Sequence, residues 1–249
     1  METDIKIYDV VDSTNITLKE LADQGAPEGT CVMAFCQRKG QGRSGRTFYS
    51  PKGGNLYMSL LLRPVTDRAF EMITVTAAVA CVEAVHECFG VMTGIKWVND
   101  IMLSGRKVCG IVATGHDIGT DKRHVILGIG VNVYSAKTVP DDIADRYGSI
   151  LDRAFDLTDS CGRDQAVRLG KSIIDIFSRY YDSKSFEDVI ERYRKYSVIM
   201  GKTVEYLSGG RCINAVVSGI DDNGGIILDT IDGVCTYRDG EIRITVKDK

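Results

Sequence analysis

The sequence predicts an α+β core followed by a small all-β barrel, and three observations carry that prediction. One apolar run of helical length, AFEMITVTAAVACVEAVHECFG at 69–90, stands among short strand-like runs. Two charged segments with 3.6-residue apolar spacing, SIIDIFSRYY at 172–181 and FEDVIERYRKY at 186–196, read as an outer helical layer. After Met200-Gly201 the character changes: KTVEYL, INAVVSGI, GIILDT, VCTYR and IRITV are broken by SGG, DDNGG, DG and DG. Turn signals at that density describe a small barrel. A boundary near 197 therefore divides the chain into 1–197 and 198–249.

Taken in order, IKIYDVV reads as a short strand and DSTNITLKELADQGAPEG as a helix. Asp12, Ser13, Thr14 and Asn15 are all N-cap residue types, Ile16, Leu18, Leu21 and Ala22 form an apolar face, and Gly25 with Pro27 stops the helix. TCVMAFC is a buried strand leading into the loop QRKGQGRSGR at 37–46. Pro51, Gly53 and Gly54 then rule out a regular helix, and NLYMSLLLR is a strand. The long helix follows and ends near Gly90. Beyond it come TGIKWV, the pair IMLSGRKVCGIVATG folded at Ser104-Gly105, and HVILGIGVNV.

Gly40, Gly42 and Gly45 spell G-x-G-x-x-G, but the context of a dinucleotide site is missing. No helix starts at the glycines, and Arg63 and Pro64 stand where the ribose-binding acid belongs, with Asp67 the nearest. No G-K-[ST] closes the loop as a phosphate-binding Walker A motif needs.

A net charge of −3 excludes a general attraction to nucleic acid or to an anionic membrane. Glu71, Glu83, His86 and Glu87 mark the apolar run as a buried helix rather than a membrane span. The start METDIKIYDV lacks a basic, then apolar, leader, so the expected location is cytoplasmic. The eight cysteines contain no C-x-x-C pair. Of the best metal trio, Cys81, His86 and Cys88, only 81 and 88 share a helix face, and both fit its apolar stripe, so reduced core thiols are expected.

Any anion site must therefore be local. Arg38, Lys39, Arg43, Arg46 and Lys52 fall between 37 and 52 with no acid among them. Beside flexible glycines they form either an anion cradle or a solvated hairpin. Lys96 stands among Ile95, the only tryptophan, Trp97, and Val98. There it is either met by an anion or paired with a nearby aspartate on an edge strand. Gly128 and Gly130 alternate with apolar residues, which suits a ligand lying flat on a sheet and equally suits bulges.

STN at 13–15, Q-x-x-G-x-G-R-x-G-R at 37–46, SPxGGNLYxS at 50–59, KWxND at 96–100, RKVCGI at 106–111 and GIGVNV at 128–133 occur in that order. Together they resemble the signature segments of biotin–protein ligases, and the G-K-x-V … GI-D-x-x-G-x-L … GE-I pattern of 201–242 resembles that family's SH3-like C-terminal domain. The resemblance implies a mixed-sheet core like that of class II aminoacyl-tRNA synthetases. It also implies two half-reactions: biotin and MgATP give biotinyl-5′-AMP, and a lysine of a biotin carboxyl carrier domain then takes the biotin.

It implies site residues as well. Lys96, Arg43 and Arg46 are the expected catalytic cations. Ser13, Thr14, Gln37, Gly40, Gln41, Gly110, Gly128 and Gly130 join Arg43 and Lys96 around biotin, while Ser13 and Thr14 also fit simple helix capping. Gly42, Phe48 and Asn132 join Arg43, Arg46 and Lys96 around the adenylate. Mg²⁺ is expected with ATP and not on protein ligands alone; Asn99 and Asp100 read either as orienting it or as a structural turn.

Three residues depart from the family pattern: Gln41 replaces the first loop cation, Val98 a proline, and Thr114 a glutamate. About ten residues precede the core, too few for a helix-turn-helix domain, so the resemblance is to the ligase-only type. A lipoate–protein ligase and a non-catalytic biotin sensor are the rival readings. Monomer and homodimer stay open.

Overall fold

The computed structural model describes residues 1–53, 55–120, 122–154, 160–208, 211–238 and 243–246. Gly54 of the 50–59 motif and the GE-I end of the C-terminal pattern lie outside the described residues. The core sheet contains β1 (Asp4–Tyr8), β2 (Thr30–Ala34), β3 (Leu56–Leu62), β4 (Gly94–Lys96), β5 (Asp100–Leu103), β6 (Arg106–His116) and β7 (His124–Val131). Their spatial order is β1-β2-β3-β7-β6-β5-β4. β1 and β2 are parallel and joined through α1 (Thr14–Asp23); every other neighbouring pair in this sheet is antiparallel. The hairpin β5–β6 turns at Ser104 and Gly105, both with positive φ (49° and 78°), as a tight two-residue turn requires.

Helices cover both faces. Side chains of a strand alternate, so Val32, Leu61 and Ile126 meet Leu18 and Ala22 of α1. Cys31, Met33, Leu60, Leu62, Val125 and Leu127 point the other way, into the core under α2 (Asp67–Phe89). Thr66 caps α2 by accepting from Ala69 N at 3.1 Å, and Gly90 closes it in the left-handed region with its N–H on His86 O at 2.8 Å. α2 is long and apolar enough to cross a membrane, but 72% of its most apolar window is buried inside the fold.

After β7 come β8 (Tyr134–Ser135) and β9 (Leu151–Ala154), a short parallel pair. Nothing in the sequence pattern marks them, because two and four residues are too few to show a period. α3 (Ser160–Ser183) and α4 (Phe186–Tyr196) then pack on α2. Cys81 of α2 is fully buried, and its hydrogen bond with Cys109, then its burial, push the thiol's ionisation upward. Among the described residues no cluster of His, Cys, Asp and Glu could hold a metal.

β10 (Thr203–Ser208), β11 (Arg211–Ile220), β12 (Ile226–Thr230), β13 (Gly233–Tyr237) and β14 (Arg243–Val246) form a separate antiparallel sheet of order β13-β12-β11-β10-β14. It is tied to the core at one turn. Trp97 Nε1 donates to Gly224 O at 2.9 Å, and Arg194 donates to Ile220 O at 2.8 Å and to Asp222 at 2.7 Å. The lone tryptophan is thus an anchor between the two sheets.

Candidate active site

On the α1 face, β6 and β7 lose their side chains where glycines of the two strands pair. Gly110 and Gly130 are directly opposite each other in the ladder, and Gly128 pairs with Val112. Above them is a cleft of about 50 Å³ lined by Ser13, Thr14, Asn15, Gln37, Gln41, Gly42, Arg43, Phe48, Asn99, Lys107 and the three glycines. A small-molecule site usually holds at least about 300 Å³, and Phe48 and Lys107 occupy the space above the floor. A Cβ added at Gly130 would lie 2.5 Å from the Phe48 ring, and one at Gly110 2.9 Å. The glycines therefore make room first for this aromatic ring, which covers the floor.

The inner wall is polar. Ser13 and Thr14 at the start of α1 are 1% and 3% exposed, and Ser13, the N-cap residue, makes no capping bond with its side chain. Thr14 donates both its N–H (2.8 Å) and its hydroxyl (3.1 Å) to Gln37 Oε1. The Asn15 amide lies against Gly128, where an added Cβ would sit 2.5 Å from Oδ1. Asn99 is pinned to β6 through Nδ2 to Ile111 O at 2.6 Å.

The lysine at the cleft is Lys107, not Lys96. The register of β5 and β6 slips by one between Ile101 and Met102, so that Met102 pairs with Lys107. In an unbroken strand Lys107 would share a face with Cys109, which is fully buried in the core. The bulge turns it onto the face of Gly110, as bulges commonly re-aim side chains. Its ammonium lies 2.5 Å from Asp100 Oδ1 and 5.7 Å from the centre of the Phe48 ring. Lys96 is half-buried, stands opposite Asp100 in the β4–β5 ladder, and does not line the cleft.

The loop cations divide in the same way. Arg43 lines the cleft, in a single 3₁₀ turn spanning Arg43–Gly45. Arg46 is exposed and outside the lining, and its carbonyl accepts from Gly42 N at 2.7 Å. Arg38 and Lys39 are paired with Asp12 at 3.2 and 3.4 Å, and those hydrogen bonds hold the Asp12 carboxyl below the usual carboxylate value. The cluster that looks free of acids along 37–52 is therefore partly neutralised from across the loop.

Gly40 does not line the cleft either. A Cβ there would come within 2.4 Å of both Phe48 O and Ser50 Oγ, so its role is to let the two ends of the loop meet. Asn132 lies outside the cleft as well: its Nδ2 donates to Gly148 O at 3.0 Å, and its buried Oδ1 has no partner among the described residues. Of the departures, Gln41 lines the cleft as a neutral residue, Val98 is buried with its carbonyl accepting from Tyr193 OH at 3.0 Å, and Thr114 is exposed. Asn15 and Lys107 are the additions, and Asn99, expected either to orient magnesium or to form a turn, lines the cleft as well. For Lys107 a signal was present: a lysine three residues before a glycine, at the head of the apolar run VCGIVA.

Residues 7–132 match the biotin/lipoate A/B protein ligase family. The chain is 33% identical over 239 residues to the bifunctional ligase/repressor BirA of Bacillus subtilis, covering 95% of this chain and 73% of that protein. It is 28% identical over 225 residues to the biotin–[acetyl-CoA-carboxylase] ligase of Mycobacterium tuberculosis, covering 87% and 80%. Its fold is similar to that of the Aquifex aeolicus biotin protein ligase in complex with biotin and ATP, with a TM-score of 0.80, 25% identity, and 98% and 99% of the two chains covered. The chain belongs to the biotin/lipoate A/B protein ligase family.

Proposed function

We propose that this chain is a biotin–protein ligase that joins biotin and ATP into biotinyl-5′-AMP, releasing pyrophosphate. It then transfers biotin to a lysine amine of a biotin carboxyl carrier domain, releasing AMP. The observation that carries the reading is one cleft in which a neutral hydrogen-bonding wall (Ser13, Thr14, Asn15, Gln37) faces two cations, Lys107 and Arg43, across a glycine floor. The wall suits an uncharged urea, and the cations suit a carboxylate meeting a phosphate.

Two unit charges about 4 Å apart repel by roughly 4 kcal/mol at an effective dielectric near 20. Left uncompensated, that would slow the step by about a thousandfold. Lys107, held by Asp100 before substrate arrives, and Arg43 of the loop offset this repulsion where charge accumulates. Phe48 must leave the floor for biotin to lie on Gly110 and Gly130; returning over the bound acyl group, it would exclude water from the reactive anhydride. The acceptor amine belongs to the carrier, so no nucleophile of this chain is needed.

Among the described residues no acidic cluster could hold a metal ion, and Asp100 is engaged by Lys107. We read magnesium as arriving on the ATP phosphates. We also read the C-terminal sheet as an SH3-like domain beginning near residue 198, and the protein as cytoplasmic. The buried thiols Cys31, Cys81 and Cys109, none in a disulfide, fit a reducing compartment.

ATP–pyrophosphate exchange by the purified protein tests the reading with biotin, with lipoate and with neither. Exchange that needs biotin supports it. Exchange with lipoate alone reassigns the acyl pocket, and biotin binding without exchange leaves a sensor in which Gln41 has weakened the phosphate side.

A further inference from the structure

Two buried serines beside the cleft have no role in the site so far described. Ser59 on β3 is 0% exposed and Ser50, just past the glycine loop, 6%; neither lines the cleft. They are linked through residues that do. Ser59 Oγ lies 2.8 Å from Thr14 Oγ1, and the Thr14 hydroxyl is 3.1 Å from Gln37 Oε1. Gln37 Nε2 lies 3.0 Å from Ser50 Oγ, which is 2.9 Å from the Phe48 carbonyl.

The direction of this chain is forced. A carbonyl only accepts, and a serine hydroxyl has one proton, so Ser50 gives its proton to Phe48 O and must accept from Gln37. Gln37 therefore turns its nitrogen to Ser50 and its oxygen to Thr14, an orientation fixed independently by the Thr14 N–H at 2.8 Å from Oε1. Thr14 spends its proton on Gln37 and must accept from Ser59. The Asn15 amide faces Ser59 Oγ at 2.6 Å with its oxygen. Turned by 180° about its last torsion, it presents nitrogen and becomes the first donor, and each hydroxyl of the chain then gives one proton and accepts one.

We propose that Ser59 and Ser50 are positioning residues, and that this one-way chain carries the state of the head-group wall to the glycine loop. Three of its members, Asn15, Thr14 and Gln37, form the cleft wall, and its far end is the backbone of the residue whose ring caps Gly110 and Gly130. Hydrogen bonds aligned in one direction polarise one another, so a ligand that orders the wall tightens the last bond too. Ser50 is well placed for this. Its hydroxyl sits where the two ends of the loop meet, 2.4 Å from where a Gly40 Cβ would be, beside the Phe48 N–H bonded to Gly40 O at 2.9 Å. The ligand's identity rests on the biotin reading above; the chain itself does not.

The test uses Ser50→Ala and Ser59→Ala in the full chain. Without any ligand, trypsin cleavage after Arg43 and Arg46 is expected to quicken about tenfold in both variants, the consequence of one lost hydrogen bond in a buried network. Ser59 does not touch the loop, so a merely structural serine there would leave the cleavage rate unchanged, and a wild-type rate in Ser59→Ala overturns the proposal whatever Ser50→Ala does. In biotin-dependent exchange, Ser50→Ala is expected to raise KM for biotin about tenfold with little change in kcat, and to add nothing in a Phe48→Ala background. Additive effects there also overturn it. A wild-type protein whose exchange ignores biotin removes the ligand assignment alone, because the cleavage arm still reads the chain.

Discussion

The two faces of β6 and β7 differ in what the same ladder of hydrogen bonds is used for. Toward α2, Cys109, Ile111, Leu127, Ile129 and Val131 fill a sealed core. Toward α1, the alternate positions Gly110, Gly128 and Gly130 leave a floor that is covered by Phe48, Lys107 and the Asn15 amide. One face supplies the rigidity and the other the space. A site built this way keeps its floor fixed while a loop ring comes and goes, because the floor's stability is provided from behind.

Neighbouring residues should therefore give opposite phenotypes. Leu127→Ala empties a fully buried position on the α2 face and should cost about 3 kcal/mol in urea unfolding, with KM for biotin unchanged. Gly128→Ala, one residue on, places a methyl 2.5 Å from the Asn15 amide. It should raise KM for biotin about thirtyfold, roughly 2 kcal/mol, with unfolding shifted far less. If both variants lose stability alike and neither affects KM, the division between the faces is wrong.

Smaller effects sharpen the same contrast. Asp100→Asn releases the Lys107 ammonium from a partly exposed pair, and kcat for exchange should fall about threefold, the scale of such pairs. At the far end of the hairpin, away from the glycines, His116 and His124 stack with ring centres 5.1 Å apart. Burial, then the His124 charge, hold His116 below the ordinary imidazole value of 6.5. The unfolded chain then takes up its proton at higher pH than the folded one, so stability declines as pH drops from 6.5 through the folded value and levels off below it. His116→Gln should flatten that decline in melting temperature between pH 7.5 and 5.5, while exchange at pH 7.5 stays as in wild type.

The strands and helices were legible because most are long enough to show a pattern: α2 from its unbroken apolar run, β3 and β7 from the strand-length apolar runs NLYMSLLLR and HVILGIGVNV, the C-terminal sheet from its turns. The wall and floor were legible as well, since Ser13, Thr14, Gln37 and the glycines stand in short motifs. What could not be read is what crosses between elements. Asp12 neutralises Arg38 and Lys39 from a different segment, and a one-residue register slip decides that Lys107 rather than Lys96 reaches the cleft. Both lysines stand in apolar strands that look alike in sequence; only the bulge tells them apart. The same holds for Phe48, whose place over Gly110 and Gly130 depends on a loop closure that no local pattern encodes.

The most direct test of this account compares Lys107→Ala with Lys96→Ala in biotin-dependent ATP–pyrophosphate exchange. The geometry predicts that Lys107→Ala loses about a hundredfold or more in kcat, the usual effect of removing a preorganised charge-stabilising group, and that Lys96→Ala stays within about fivefold of wild type. The reverse result, with Lys96 indispensable and Lys107 dispensable, would contradict the placement of the reacting phosphate beside Lys107.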